Sequence, residues 1–358
     1  MITTAQQAAD ALIGNAQVNE GRLVLDLDGY KIEVQSNSQE LLEQLGRYFA
    51  HTLGAGQPDC RIIAIEGPAP DLGLPFVDWK REAGKSGRKD AFYDLADGRL
   101  ILKVRTGMVF LQSRDHLIAS GPSLANDNQI INYINAQYMN KLQQDGALIC
   151  HASGLVRGGA CLGMAGFSGG GKSTLMLKML EEQGLSYLTN DRLFLKDGRA
   201  IGIPKLPRIN PGTILNNETL RPILSDERAA ELQALPIEEL WHLEEKYDVF
   251  VEDVYGEEKI TPSAKLGAFL ILNWQREGTK PLSIDLVDLS ARPELLHKAI
   301  MKSPGPFYQY ADGSFFADTT DLDPVPYLEA LQDVPIYEAS GTIDFDAAAR
   351  FCLKELPW

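Results

Sequence analysis

The sequence has few cysteines, no long apolar run and no N-terminal targeting pattern. Its four cysteines show no CxxC pairing, so we expect reduced core residues rather than a disulfide framework or a zinc site. No apolar stretch approaches the roughly 20 residues that cross a bilayer. The first residues lack the basic and apolar segments of a signal peptide. We therefore expect a cytoplasmic protein with no membrane partner.

Positive charge is also scarce. The formal net charge is −15, and no basic stripe like that of a nucleic-acid-binding protein is present, so we expect no nucleic-acid partner. The hydrophobic fraction of 44% is ordinary and sufficient for a full core. A polyanionic ligand must therefore be bound locally, by a phosphate-binding loop, a metal or a few cationic side chains.

The length of 358 residues suits two domains, or one domain with a sizeable appendage, and the hydrophobicity pattern favours two. Residues 1–125 are predicted to form a smaller N-terminal α+β domain, in which alternating strands at 22–28 and 30–34 are joined by a turn at Asp28–Gly29. Residues 126–358 are predicted to form a larger α/β catalytic domain, which begins with a helix at 128–144.

The most informative motif is GFSGGGKS at 166–173, which satisfies G-x-x-x-x-G-K-[ST]. Glycines let backbone N–H groups point at anionic oxygens, and the following helix adds its positive end. Apolar stretches predict a buried strand at 160–165 and a helix at 174–183 around this loop. The residues predicted to bind nucleotide are Gly166, Ser168, Gly169, Gly170, Gly171, Lys172, Ser173 and Thr174.

Three side chains near this loop have predicted roles in chemistry. Lys172 is expected to reach the β- and γ-phosphates of ATP, and the Ser173 hydroxyl is expected to ligate Mg²⁺. Asp191 ends the next predicted strand, where it would be a second metal ligand or the base that takes a hydroxyl proton. The alternative is an aspartate that only caps a turn.

His151 and Arg208 are two further candidates for catalysis. His151 ends a predicted strand one hairpin before the loop, so it would lie near the triphosphate if the two strands pair; a structural histidine is the alternative. Arg208 lies in a segment held by prolines and a glycine, and it is expected to neutralise transition-state charge. The alternative is a solvated loop arginine.

Together these residues resemble the HPr kinase/phosphorylase family and its kinase-like relatives. The resemblance is carried by His151–Gly154, by the loop at 166–173 and by the strand end Asn190–Arg192. It implies a P-loop core with a mixed sheet flanked by helices, related in its core to phosphoenolpyruvate carboxykinase. The site residues that it implies are Lys172 for phosphate, Ser173 for Mg²⁺, Asp191 for metal or proton transfer and His151 near the phosphates.

The sequence also departs from this family at two positions. Asn190 stands where the first of two acidic residues is expected, and Thr174 stands where HPr kinases carry Glu. The family's downstream acidic-x-Arg-Gly signature is not recognisable. These departures favour a hydroxyl acceptor other than HPr.

The leading interpretation is an ATP- and Mg²⁺-dependent kinase of HPr kinase-like type, which transfers the γ-phosphate to a hydroxyl of a small molecule or a protein serine. The alternative is a nucleotide-binding regulatory or assembly module with weak or no phosphotransfer, which Asn190 in place of an acid keeps open. The predicted ligands are the nucleotide and an unidentified hydroxyl-bearing acceptor. A homo-oligomer is left open.

Overall fold

A computed structural model of the chain describes residues 2–81, 87–167, 169–243, 245–277 and 279–358. It confirms a mixed α/β structure in which mixed sheets are flanked by helices. The chain forms two compact units: unit 1 comprises Met1–Gly146 and Ser303–Asp321, and unit 2 comprises Ala147–Lys302 and Leu322–Trp358. The division of the chain into two domains between residues 125 and 126 remains a prediction from the sequence.

Unit 1 has one sheet, whose eight described strands are β1 (Arg22–Leu27), β2 (Tyr30–Ser36), β3 (Cys60–Glu66), β4 (Val77–Asp78), β5 (Asp90–Asp94), β6 (Gly98–Lys103), β7 (Val109–Ser113) and β8 (Leu117–Gly121). Their order across the sheet is β1-β2-β3-β8-β7-β6-β5-β4. Strand β3 runs parallel to β2 and β8, and the other neighbours are antiparallel. The predicted hairpin is confirmed, with Asp28 and Gly29 at φ 55° and 88°.

The α-helices of unit 1 are α1 (Ala5–Ile13), α2 (Gln39–Tyr48) and α3 (Asp127–Gln144). Residues 303–321, from the later part of the chain, complete unit 1 around Arg99, which is 4% exposed. The Arg99 guanidinium pairs with Asp94 and donates to the carbonyls of Pro306 and Phe316 at 3.4 and 2.9 Å. A buried cation is tolerated only when its donors are satisfied, so residues 303–321 are an integral part of unit 1.

The strands of unit 2 are β9 (Leu148–Cys150), β10 (Ala152–Arg157), β11 (Ala160–Gly166), β12 (Leu185–Thr189), β13 (Leu193–Lys196), β14 (Arg199–Ile201), β15 (Arg208–Ile209), β16 (Tyr247–Asp248), β17 (Ser263–Leu272), β18 (Ser283–Leu286) and β19 (Ile336–Ser340). The main sheet follows the order β12-β10-β11-β17-β14-β13-β9, and β19 joins β17 to β18. Strands β11, β17 and β19 are parallel. Strands β15 and β16 form a separate pair.

The α-helices of unit 2 are α4 (Lys172–Leu180), α5 (Pro211–Leu215), α6 (Asp226–Gln233), α7 (Ile237–His242), α8 (Val251–Tyr255), α9 (Pro293–Leu295), α10 (Val325–Leu331) and α11 (Phe345–Lys354). Helix α4 ends at Leu180 rather than at the predicted residue 183, because residues 181–184 are exposed and offer no apolar face. Within the described residues, no helix is both long and apolar enough to span a bilayer.

The close pairing of β11 with β17 forms the centre of unit 2. All but the first residue of β11 are buried, as its apolar sequence predicts. A Cβ at Gly163 would lie 2.7 Å from the Phe269 ring, so glycine is needed at this point of contact. The loop at 166–173 follows directly from this buried strand, which fixes its starting point.

Candidate functional site

Three chain segments meet at one edge of the unit 2 sheet. Strand β10 is antiparallel to β11, with Ala152 opposite Ala165, and β12 is antiparallel to β10, with Thr189 opposite Gly154. The end of β11, the start of β10 and the end of β12 therefore lie at the same edge. The sequence places the glycine-rich loop, His151 and Asn190–Asp191 at these three positions.

The glycine-rich loop is held from two sides by aromatic side chains. The Trp274 Nε1–H donates to the Gly170 carbonyl at 2.7 Å. Gly171 has φ 81°, and a Cβ there would lie 2.6 Å from the Phe345 ring, which in turn packs edge-on against Trp274. Sequence reasoning missed Trp274 and Phe345, because both are distant in sequence and neither belongs to a motif. Ser168, one of the predicted nucleotide ligands, lies outside the described residues.

Lys172 begins helix α4 and folds back over the loop. Its Nζ donates to the Gly166 carbonyl at 3.1 Å. Burial lowers the pKa of Lys172 to about 8, and the cations Arg192 and Lys302 act in the same direction, whereas Asp191 opposes them. Lys172 is therefore a cation in a region already rich in positive charge, which an anionic ligand would stabilise.

Asn190 connects the helix to the end of β12. Its side-chain oxygen accepts a hydrogen bond from the Ser173 hydroxyl at 2.9 Å, and its backbone carbonyl accepts one from Ser153 at 2.7 Å. Thr174 forms a hydroxyl–hydroxyl hydrogen bond with Thr213 at 3.1 Å. Asn190 thus orients Ser173, while Thr174 links helix α4 to helix α5.

Asp191 is surrounded by cations and by His151. Its Oδ1 lies 3.2 Å from His151 Nε2, and its Oδ2 accepts a hydrogen bond from Arg192 at 2.6 Å. Burial alone would raise the pKa of Asp191, but Arg192, the hydrogen bond from His151 and the charge of Lys205 hold it well below its usual range. The side chain is still 40% exposed. Asp191 is an ionised carboxylate within reach of solvent.

His151 lies beside the loop for a different reason than the sequence suggested. The sequence left open whether the strand that ends before His151 pairs with the strand before the loop. That strand, β9, pairs with β13, whereas β10, which begins just after His151, pairs with β11. The His151 backbone N–H donates to the Ile300 carbonyl at 2.7 Å. The hydrogen bond to Asp191 raises the pKa of His151, but burial, Lys172 and Arg192 outweigh it and lower the pKa below its ordinary value. The imidazole is therefore neutral near pH 7 and donates to Asp191.

Arg208 lies farther along, in β15, beside Lys205. Its Nε is 3.8 Å from Asp248 Oδ1, which is too long for a hydrogen bond. Burial lowers the pKa of Lys205 to about 8, with Arg192 and Arg208 acting in the same direction against Asp191 and Asp248. The structure thus brings together Lys172, Ser173, Asp191 and His151, and it places Arg208 next to this group through Lys205.

The oxygen atoms around Ser173 fit a hard cation such as Mg²⁺. A hydroxyl, the Asn190 amide oxygen and the Asp191 carboxylate come from adjacent positions at the sheet edge. Mg²⁺ prefers oxygen ligands and is commonly held by one or two protein groups together with substrate phosphates. Among the described residues, no group of three or more His, Cys, Asp or Glu side chains could hold a metal alone. The residues therefore suit a metal that arrives with phosphate.

No family model and no curated protein matches the sequence. Among solved structures, the chain is similar to an Hpr(Ser) kinase/phosphatase from Coxiella burnetii, with 13% sequence identity and a TM-score of 0.27. The matched region covers 57% of this chain and 88% of that one. At this extent the similarity fixes neither the fold nor the activity of the chain.

We expect Gly171→Ala to destabilise unit 2 more than Gly169→Ala. Both glycines have left-handed φ, which costs an alanine about 1–2 kcal/mol. A Cβ at Gly169 meets nothing within 4 Å, whereas one at Gly171 overlaps the Phe345 ring, which adds about 1–3 kcal/mol. Denaturant unfolding measures the difference. The additional Phe345→Leu change should recover part of the loss, and equal costs for the two alanines would contradict the close contact.

Proposed function

We propose that the chain is an ATP- and Mg²⁺-dependent kinase, with an HPr kinase-like P-loop core, that transfers the γ-phosphate to a hydroxyl group. The observation that carries the proposal is the placement of Lys172, the Ser173–Asn190 pair and ionised Asp191 at one sheet edge, around a glycine-rich loop. Cationic and hydroxyl groups at a helix N-terminus are suited to a nucleoside triphosphate.

In this proposal the triphosphate lies along the loop and the first turn of α4. Lys172 exchanges its hydrogen bond to the Gly166 carbonyl for bonds to the β- and γ-phosphates, a charge-assisted contact that is stronger than the one it replaces. Ser173 and Asp191 would hold Mg²⁺. Bound Mg²⁺ would neutralise phosphate charge and hold the reacting oxygens in line.

The transfer step requires little covalent chemistry from the protein. The acceptor hydroxyl oxygen bonds to the γ-phosphorus as the bond from that phosphorus to the β,γ-bridging oxygen breaks, and ADP leaves with the electron pair. Asp191 would orient the acceptor hydroxyl, whose proton passes to solvent as the new bond to phosphorus forms, because the low pKa of Asp191 makes it a weak base. His151 donates to the other side of the Asp191 carboxyl group and fixes its orientation.

A nucleotide-binding module without phosphotransfer is the second candidate. The observation in its favour is Asn190, which is an amide at a position that would suit a second acid and which already accepts a hydrogen bond from Ser173. A site with one carboxylate can bind MgATP and still turn it over slowly. The two candidates differ in transfer and not in nucleotide binding.

We expect Lys172→Met to weaken MgATP binding by about 100-fold, because a charge-assisted contact to phosphate is worth roughly 2–3 kcal/mol. Lys178→Met is the matched control, since Lys178 lies on the same helix but forms an exposed ion pair with Asp346. Titration calorimetry measures both. Equal MgATP affinities for the two variants would show that the loop does not bind the nucleotide.

Asp191→Asn should abolish transfer while MgATP still binds, because the change removes the charge but keeps the size of the side chain. The measurement uses γ-labelled ATP with a metabolite or protein extract, and compares wild type with the variant. A labelled acceptor from wild type, lost in Asp191→Asn, is the expected result. Label that appears only as free phosphate, or not at all, favours the nucleotide-binding module.

MgATP affinity should fall as the pH rises above about 8. A free lysine has a pKa of about 10.4, whereas the pKa of Lys172 is about 8, so the amine is largely neutral at higher pH and must take up a proton to pair with phosphate. Calorimetry near pH 9 in buffers of different ionisation enthalpy measures this uptake. Lys172→Arg should reduce it, and Lys205, with a similar pKa, supplies any remainder. Unchanged uptake in Lys172→Arg would contradict the assignment.

A further inference from the structure

The segment from Lys205 to Thr213 is fixed at three points beside the candidate site. The Tyr187 hydroxyl donates to the Lys205 carbonyl at 2.6 Å, and the Val249 N–H donates to the Pro207 carbonyl at 2.8 Å. At its far end, Thr213 is hydrogen-bonded to Thr174 of helix α4. The segment is therefore ordered before any ligand binds, and a site formed on it is preorganised.

Arg208 and Asn210 present unsatisfied polar atoms on the same face of this segment. The backbone is extended at both residues, so their side chains lie on one side, and Ile209 between them is buried at 3% exposure. Within the described chain, the buried Arg208 Nε and Asn210 Oδ1 have no hydrogen-bond partner. A donor and an acceptor left unpaired in this way cost roughly 1–3 kcal/mol each unless a ligand satisfies them.

The surroundings of Asp191 carry an excess of positive charge, in contrast to a chain whose net charge is −15. Four cationic side chains and two carboxylates are among the groups that shift the pKa values of Lys172, Asp191 and Lys205. The cations are Arg192, Lys205, Arg208 and Lys302, and the carboxylates are Asp191 and Asp248. The cations among these groups outnumber the carboxylates, so an anion bound near them would be stabilised.

The cations around Asp191 belong to different parts of the chain. Asp191 and Arg192 shift the pKa values of both Lys172 and Lys205. Arg208 and Asp248 shift the pKa of Lys205 but are not among the described groups that shift the pKa of Lys172. Lys172 belongs to the glycine-rich loop. Lys205 and Arg208 lie outside this loop, on the segment from Lys205 to Thr213, and form a second cationic centre.

We infer that the phosphate acceptor is a small hydroxyl-bearing anion, a carboxylate or a phosphate, whose charged group is bound by Arg208 and Lys205. This inference rests on the proposed kinase function. Asn210 Oδ1 accepts a hydrogen bond from a polar group of the acceptor, and the hydroxyl to be phosphorylated lies toward Asp191. A neutral acceptor would leave the second cationic centre without a partner.

The test uses the full-length protein saturated with Mg²⁺ and an ATP analogue with a β,γ-imido bridge, so that the loop is already filled. Inorganic phosphate, glycerol 3-phosphate, D-glycerate and glycerol are then titrated by calorimetry. The charged probes should bind at least about tenfold more tightly than glycerol, as expected for a charge-assisted contact. Phosphate and glycerate distinguish a phosphorylated acceptor from a carboxylate.

Variants separate this site from the loop. Arg208→Gln should weaken binding of the charged probes by about tenfold or more. Lys205→Arg should retain their binding, and Lys178→Gln should leave it unchanged. Asp248→Asn should tighten them, because it removes the carboxylate nearest to Arg208. Since the first and last changes have opposite expected signs, loss of folding cannot produce both results.

Four results would overturn the inference. If the analogue binds but the charged probes bind no better than glycerol, the acceptor is neutral or a protein serine and the kinase proposal stands. If charged probes bind equally well to Arg208→Gln, they bind elsewhere. If Arg208→Gln weakens binding of the analogue as much as binding of phosphate, Arg208 contacts the phosphoryl group that is transferred. If the analogue itself does not bind, the proposed function fails as well.

Discussion

The candidate site depends on one pairing register, the antiparallel alignment of β10 with β11 that places Ala152 opposite Ala165. This register brings the residue before β10 and the loop after β11 to the same edge, and the pairing of β12 with β10 brings Asp191 there as well. A shift by one residue would turn every buried side chain of β11 to the opposite face. The hydrophobic core and the site are therefore specified by the same contacts.

The charged side chains around Asp191 are mostly cationic, whereas the chain as a whole is acidic. The net charge of the chain is strongly negative, yet burial, together with the cations around Asp191, depresses the pKa values of Lys172 and Lys205 to about 8. Such crowding is unfavourable in the free protein and is relieved when anions bind. An anion bound there would release the free energy stored in this way, and perturbed pKa values of this kind are common at functional sites.

Local sequence patterns predicted much of this arrangement. The strand, loop and helix around the glycine-rich motif and the Asp28–Gly29 hairpin follow from apolar periodicity and turn chemistry, and the structure contains them. The partners of that loop did not follow, since Trp274 and Phe345 reach it only through strand pairing and helix packing over long sequence separations. The partner of the strand before His151 could not be predicted for the same reason, because strands that are adjacent in sequence need not pair.

The route of the chain through its two units bears on how the protein is synthesised. The carbonyls that bind the Arg99 guanidinium belong to residues 306 and 316, which a ribosome produces after nearly all of the unit 2 sheet. Until then the nascent unit 1 holds an arginine whose final acceptors do not yet exist. Translation order thus delays completion of the first unit until most of the second has emerged, and premature termination after residue 146 leaves that arginine without its native environment.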